Sequence, residues 1–117
     1  MKRVLILFSH GAHDGGAARD GLDAGLATLA FDHPLAVLFE GAGVTLLRPR
    51  GASAGGLTHW LRGLRALPLH GAAPIGVDAA ALVAHDLDPA ALLLPAQPLD
   101  AATRARWIAE ADVVLTF

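Results

Sequence analysis

Ser9-His10-Gly11-Ala12-His13-Asp14 crowds two imidazoles, a hydroxyl and a carboxylate into six positions, directly after the apolar run Val4-Leu5-Ile6-Leu7-Phe8. Imidazole nitrogens and a carboxylate oxygen are the donor types of a hydrolytic Zn²⁺ site, so His10, His13 and Asp14 define one candidate chemistry, a metal-dependent hydrolase. No second acidic pair follows them, and His33, His59, His70 and His85 are scattered over other segments. Solvated loop residues are the plainer reading, and no metal is expected. Ser9 is not framed as G-x-S-x-G, and spacing specifies no base for it. The glycines at 11, 15 and 16 form neither G-x-G-x-x-G nor a P-loop, so no nucleotide cofactor is expected. Asp23 and Asp112 read as a surface carboxylate and a turn residue.

The chain has no cysteine among its 117 residues. That excludes disulfides, thiolate metal sites and a cysteine nucleophile. Net charge is −2, which argues against a broad nucleic-acid footprint. Arg48, Arg50, Arg62 and Arg65 make a modest basic cluster, read as a solvated face. Apolar residues reach 54% and charged residues only 17%. Mean hydropathy is +0.48. No apolar run approaches the ~20 residues of a membrane span. The polar turn at Ser9-His10 closes the first run too early for a signal peptide. The expectation is a cytoplasmic protein with its excess apolar surface buried against partner subunits.

Strand and helix patterns alternate along the chain. Residues 4–8 read as a buried strand, and 9–16 as a glycine-rich turn. Leu22, Leu26 and Leu29 have helical spacing within 17–31, and Asp32-His33-Pro34 stops that helix. A second strand is expected over 35–39, a short helix or turn over 41–47 and a loop over 48–56. Leu57, Trp60, Leu61, Leu64 and Leu67 mark one face of a second long helix that Pro68 and Gly71 end. A third strand is expected over 74–77, followed by a helix over 79–85 capped by Asp78. A short fourth strand is read over 91–94, between Pro89 and Pro95. A last helix, capped by Asp100, runs through Glu110. The closing run 113–117 reads as a buried strand covered on both faces.

This order implies βαβ units, one domain over residues 1–117, and an α/β fold. The strands are apolar runs rather than alternations, so helices should cover both sheet faces. We expect a three-layer sandwich, flavodoxin-like, with a mainly parallel sheet of about five strands. Ligands in such sheets bind beyond the carboxyl ends of the strands, where 9–16, 40–43 and Asp78 should gather.

Phe8-Ser9, His13, Arg19-Asp20-Gly21-Leu22-Asp23-Ala24 with Ala27-Thr28, Gly43-Val44 with Leu47, and 111–117 extend over nearly the whole chain. Together they resemble the DsrE/DsrF superfamily, in its DsrF/TusC branch of sulfur-relay subunits. The third stretch resembles that branch's R-E-G-L-D-A, the fourth its G-D-G-V, and the last its Y-D-V-(I/V)-L-x-F. Departures are local: Ala12-His13-Asp14 stands for Pro-His-Gly, and Ala42 for the Asp of G-D-G-V. The resemblance implies that Asp78 occupies the position of a sister subunit's sulfur-accepting cysteine. It also implies a non-catalytic structural subunit of a cytoplasmic sulfurtransferase heterohexamer. Its partners would be two homologous small subunits, one bearing the active cysteine, and a downstream sulfur acceptor. The pathway implied is tRNA wobble-uridine 2-thiolation, or the related sulfur-oxidation route. Ser9, His10, His13 and Gly43 then form a candidate ligand or interface loop. The alternative is a homo-oligomeric DsrE-like module binding a small ligand at the strand ends. Direct nucleic-acid or membrane contact is not expected.

Overall fold

The computed structural model describes residues 2–13, 16–49 and 62–117. Its sheet is built around the most apolar runs. β1 (Val4–Phe8) is buried at every position and pairs in parallel with β2 (Leu35–Phe39), from Val4 opposite Leu35 to Phe8 opposite Phe39. The Phe8 and Phe39 rings stack with centroids 5.0 Å apart. β3 (Ile75–Asp78), β4 (Gln97–Leu99) and β5 (Val113–Thr116) complete a five-stranded sheet of order β4-β3-β2-β1-β5. Every pairing is parallel.

The helices are α1 (Ala17–Ala30), α2 (Ala66–Leu69), α3 (Ala79–Ala84) and α4 (Ala101–Glu110), with 3-10 segments at Gly41–Leu47 and Arg62–Arg65. Strand order decides where they lie. From β1 to β4 the sheet grows in one direction, so crossovers of one hand stack on one face. Ala18 and Leu22 of α1, Leu67 of α2 and Leu82 of α3 accordingly share a core with Val4, Ile6, Phe8, Val37, Phe39 and Val77. The step from β4 back to β5 reverses direction, and α4 lands on the other face. There Trp107 and Ile108 pack on a second, smaller core of Leu5, Leu7, Leu38 and Leu99. The three layers are therefore unequal, and α4 has no fully buried residue. No helix among the described residues is long and apolar enough to cross a membrane.

α1 comes very close to the sheet. A Cβ at its Gly21 would lie 2.5 Å from the Phe8 ring and 3.0 Å from Phe117. At its far end Asp32 takes φ 61, where the chain turns into β2.

Three expectations need correction. Residues 91–94 are not a strand. The Leu93 N–H donates to the Leu47 carbonyl at 2.7 Å, and Leu93 and Leu94 are buried in the larger core. Their apolarity reflects core filling rather than sheet pairing, and β4 begins later, at Gln97. β5 pairs with β1 as expected but lies at the sheet edge, so Val114 and Leu115 stay 38% and 36% exposed instead of buried. The described end of the expected second long helix is a 3-10 turn followed by the single turn α2. Leu64 and Leu67 are buried as that helical face required, while Leu57, Trp60 and Leu61 lie outside the described residues.

Candidate functional site

The register that aligns Phe8, Phe39 and Val77 sets Ser9, Glu40 and Asp78 in one row at the carboxyl edge. β2 lies between the other two strands, so the backbones of Ser9 and Asp78 are two strand spacings apart, about 9–10 Å.

Glu40 is the hub of this edge. Its N–H donates to the Phe8 carbonyl at 3.0 Å and continues the ladder one step past β2. Strand parity turns its side chain to the α4 side. There Oε1 accepts from the Ser9 hydroxyl at 3.0 Å, and Oε2 accepts from Arg104 Nε at 2.6 Å and from Arg104 Nη2. The carboxylate side chain is 15% exposed and the guanidinium side chain 34%. A carboxylate with three donor groups on its two oxygens is electrostatically satisfied without a ligand. The arrangement clasps the ends of β1 and β2 to α4.

α4 is aimed by its own cap. Asp100 accepts from the Thr103 N–H at 2.8 Å. That bond, joined by the Thr103 hydroxyl, holds the Asp100 carboxyl below the usual 3.8 against the opposing effect of desolvation, and Arg106 adds to the lowering. One turn on, Arg104 reaches Glu40.

Ser9 is also held through its backbone, whose N–H donates to the Phe117 carbonyl at 2.7 Å. Gly43 is there for space. A Cβ at that position would fall 1.8 Å from the Phe8 carbonyl oxygen, so only glycine lets the Gly41–Leu47 segment sit against the end of β1. Asp78 caps α3, accepting from the Ala80 N–H at 3.2 Å, and is half-buried. His10 and His13 are exposed, and Asp14 lies outside the described residues. Among the described residues no group of three or more His, Cys, Asp or Glu side chains is placed to hold a metal ion.

The structure thus brings Ser9 and Gly43 together, sets Asp78 in the same row, and leaves both histidines in solvent. The Glu40–Arg104 ion pair was not legible in spacing, because its members are 64 residues apart. The only sequence cue was a lone acid directly after an apolar strand. A cavity of about 190 Å³ opens at the opposite, amino-terminal edge, lined by Arg3, Pro34, Pro74, Trp107 and Glu110.

A DsrE/DsrF-like family model matches residues 2–117. Protein TusC of Escherichia coli K12 is 37% identical over 119 residues, covering 100% of both chains. Protein TusC of Shigella sonnei gives the same identity and coverage. Among solved structures, the crystal structure of the ychN protein from E. coli has a TM-score of 0.81, with full coverage of both chains and 18% identity, a likeness of fold.

Proposed function

The chain belongs to the DsrE/DsrF-like family and is TusC-like within it, and from that premise we propose that it is a non-catalytic structural subunit of a cytoplasmic sulfur-relay complex. The relay proposed is the one supporting tRNA wobble-uridine 2-thiolation. One observation carries the structural role: the chain has no thiol. Persulfide transfer proceeds by attack of a thiolate on sulfur. The position we match to a sister subunit's accepting cysteine is Asp78, whose carboxylate is engaged in capping α3. A carboxylate carries no persulfide.

On this reading the chain's work is done by shape. It assembles with two homologous small subunits, two copies of each, and one of these carries the active cysteine at the end of its third strand. The rigid carboxyl edge built from Ser9, Glu40, Gly43 and Arg104 is the proposed surface next to that cysteine. A downstream protein takes the sulfur on.

The test is reconstitution. The chain is purified alone and together with two homologous small proteins of the same family, one bearing a cysteine at the end of its third strand, then incubated with a cysteine desulfurase and labelled cysteine. Intact mass spectrometry should find added sulfur on the cysteine-bearing partner and none on this chain. Sulfur covalently bound to this chain, or failure of the three proteins to co-purify, would contradict the reading.

A further inference from the structure

The strands end differently at their two extremities. At the carboxyl edge the Glu40 carboxylate is taken up within the protein, by Ser9 and Arg104. At the amino-terminal edge, one strand length or roughly 15 Å away, the cavity of about 190 Å³ is open. Its size limits what it can hold. A dry cavity of about 150 Å³ takes one benzene ring, and sites for drug-sized ligands start at about 300 Å³. The volume therefore fits a single ring with its polar head left at the mouth.

The lining offers apolar walls and a few unengaged polar groups. Pro34 and Pro74 have no N–H, and their carbonyls already accept from the Val4 N–H at 3.0 Å and the Val37 N–H at 3.1 Å. The Arg3 backbone is equally engaged: its N–H donates to the Asp112 carboxylate at 2.8 Å and its carbonyl accepts from the Asp112 and Val113 N–H groups. Trp107 supplies a flat wall. A Cβ at Gly76 would fall 2.8 Å from its ring, so glycine there lets the indole lie on β3. The Arg3 guanidinium, the Glu110 carboxylate and the Trp107 indole N–H complete the lining. Among the described residues none of the three has a hydrogen-bond or ion-pair partner, and Arg3 and Glu110 do not pair with each other. Glu110 is also the last residue of α4, a helix with no basic residue in its final turn. A carboxylate at a helix carboxyl terminus adds to the negative end of the macrodipole, so that corner favours a cation.

We infer that this cavity binds a small zwitterion carrying one aromatic ring, of the chemical class of the aromatic amino acids. The ring lies against Trp107 and the two prolines, where offset stacking and apolar contact hold it. The carboxylate meets the Arg3 guanidinium, whose planar fork suits it. The ammonium meets Glu110 at the end of α4. A carboxylate without the ammonium would set a second negative charge beside Glu110. An amine without the carboxylate would set a second positive charge beside Arg3. Both charges of the lining are answered only when the ligand carries both. Arg3 and Glu110 are exposed, so each ion pair forms at the rim and contributes modestly. The affinity expected of such a ligand is on the order of a millimolar. The site does not rest on the sulfur-relay reading, since a chain failing every relay test would keep the same cavity.

The test titrates the unaltered full-length chain with four probes and follows the Trp107 indole ¹⁵N–H resonance, assigned by its loss in Trp107→Phe. The probes are L-phenylalanine, 3-phenylpropionate, which lacks the ammonium, phenethylamine, which lacks the carboxylate, and glycine, which lacks the ring. L-Phenylalanine should shift the resonance saturably. The two single-charge probes should bind about three- to tenfold more weakly, and glycine should leave the resonance in place. Two charge variants then match side chain to probe. Arg3→Gln should weaken L-phenylalanine about three- to tenfold without weakening phenethylamine, and Glu110→Gln should do the same without weakening 3-phenylpropionate. Both positions are exposed, and glutamine leaves the Arg3 backbone bonds intact. No shift with L-phenylalanine at about 20 mM, well above the expected millimolar range, would overturn the site. So would a single-charge probe binding as tightly as the zwitterion, glycine matching L-phenylalanine, or charge variants that leave its affinity unchanged.

Discussion

Glu40 Oε2 sits 2.6 Å from Arg104 Nε, joining the end of β2 to α4 across 64 residues of chain. The two partners are unequally buried, and this makes their removal unequal. Arg104→Ala leaves a carboxylate that is 15% exposed with only the Ser9 hydroxyl to satisfy it. Glu40→Ala leaves a guanidinium that can turn to water. Arg104→Ala should cost about 2–3 kcal/mol and Glu40→Ala about 1 kcal/mol. The double variant should be less destabilised than the sum of the two. Urea unfolding of the four proteins measures this, and strict additivity would mean the pair contributes nothing.

Gly43→Ala drives a methyl group into the Phe8 carbonyl, 1.8 Å away in the present geometry. The contact is backbone on backbone, so no rotamer relieves it. The variant should lose more than about 3 kcal/mol in thermal or urea unfolding, at the upper end for single substitutions. Ala42→Ser, at the exposed neighbouring position, should be near neutral.

Trp107 should be a structural tryptophan. It and Ile108 form most of the cover over Leu5, Leu7 and Leu38, and its ring lies against Gly76 of β3. Trp107→Ala should cost about 2–4 kcal/mol, somewhat below a fully buried tryptophan because the ring is half-exposed. A melting curve unchanged from the parent would show that α4 does not hold the smaller core.

Asp100 gives a pH-dependent test. Its folded-state pKa lies below the unfolded value of 3.8, chiefly through the Thr103 N–H bond. Its contribution is fully present above 3.8 and is lost as pH falls through the lower, folded value. The stability gap between the parent and Asp100→Ala should be constant from pH 7 to 5 and shrink below pH 3.8. Denaturant melts at pH 7, 5 and 3 check the sign. A gap that widens in acid would mean the carboxylate is not the capping group.

The apolar runs at 4–8 and 35–39 were readable as strands because five consecutive apolar residues bounded by turn residues fit a strand covered on both faces. The caps at Asp78 and Asp100 were readable because capping is local, within three residues. Leu93 and Leu94 misled for the same reason the strands did not: an apolar run records burial and is silent on whether the backbone pairs. The exposure of β5 was equally hidden, because its run resembles a central strand and edge position is set by topology. At the carboxyl edge, Gly43 was singled out without its reason, since close approach to the Phe8 carbonyl exists only once the Gly41–Leu47 segment is folded against β1.

The position of β5 beside β1 also governs how the chain is made. Val4 pairs with Val113, so one flank of the first strand is finished only by a segment translated much later. Among the described residues the smaller core is likewise covered mainly by α4, which follows β4 in the chain. At ~5–20 residues per second, the ribosome adds the stretch after Leu99 over a period on the order of seconds. Throughout that interval the nascent protein displays a bare β1 flank together with the Leu5 and Leu7 surface, the two features that draw a foreign strand or a chaperone. Stalled or truncated products ending before Val113 should therefore be cleared or aggregate, however well the four earlier strands have formed.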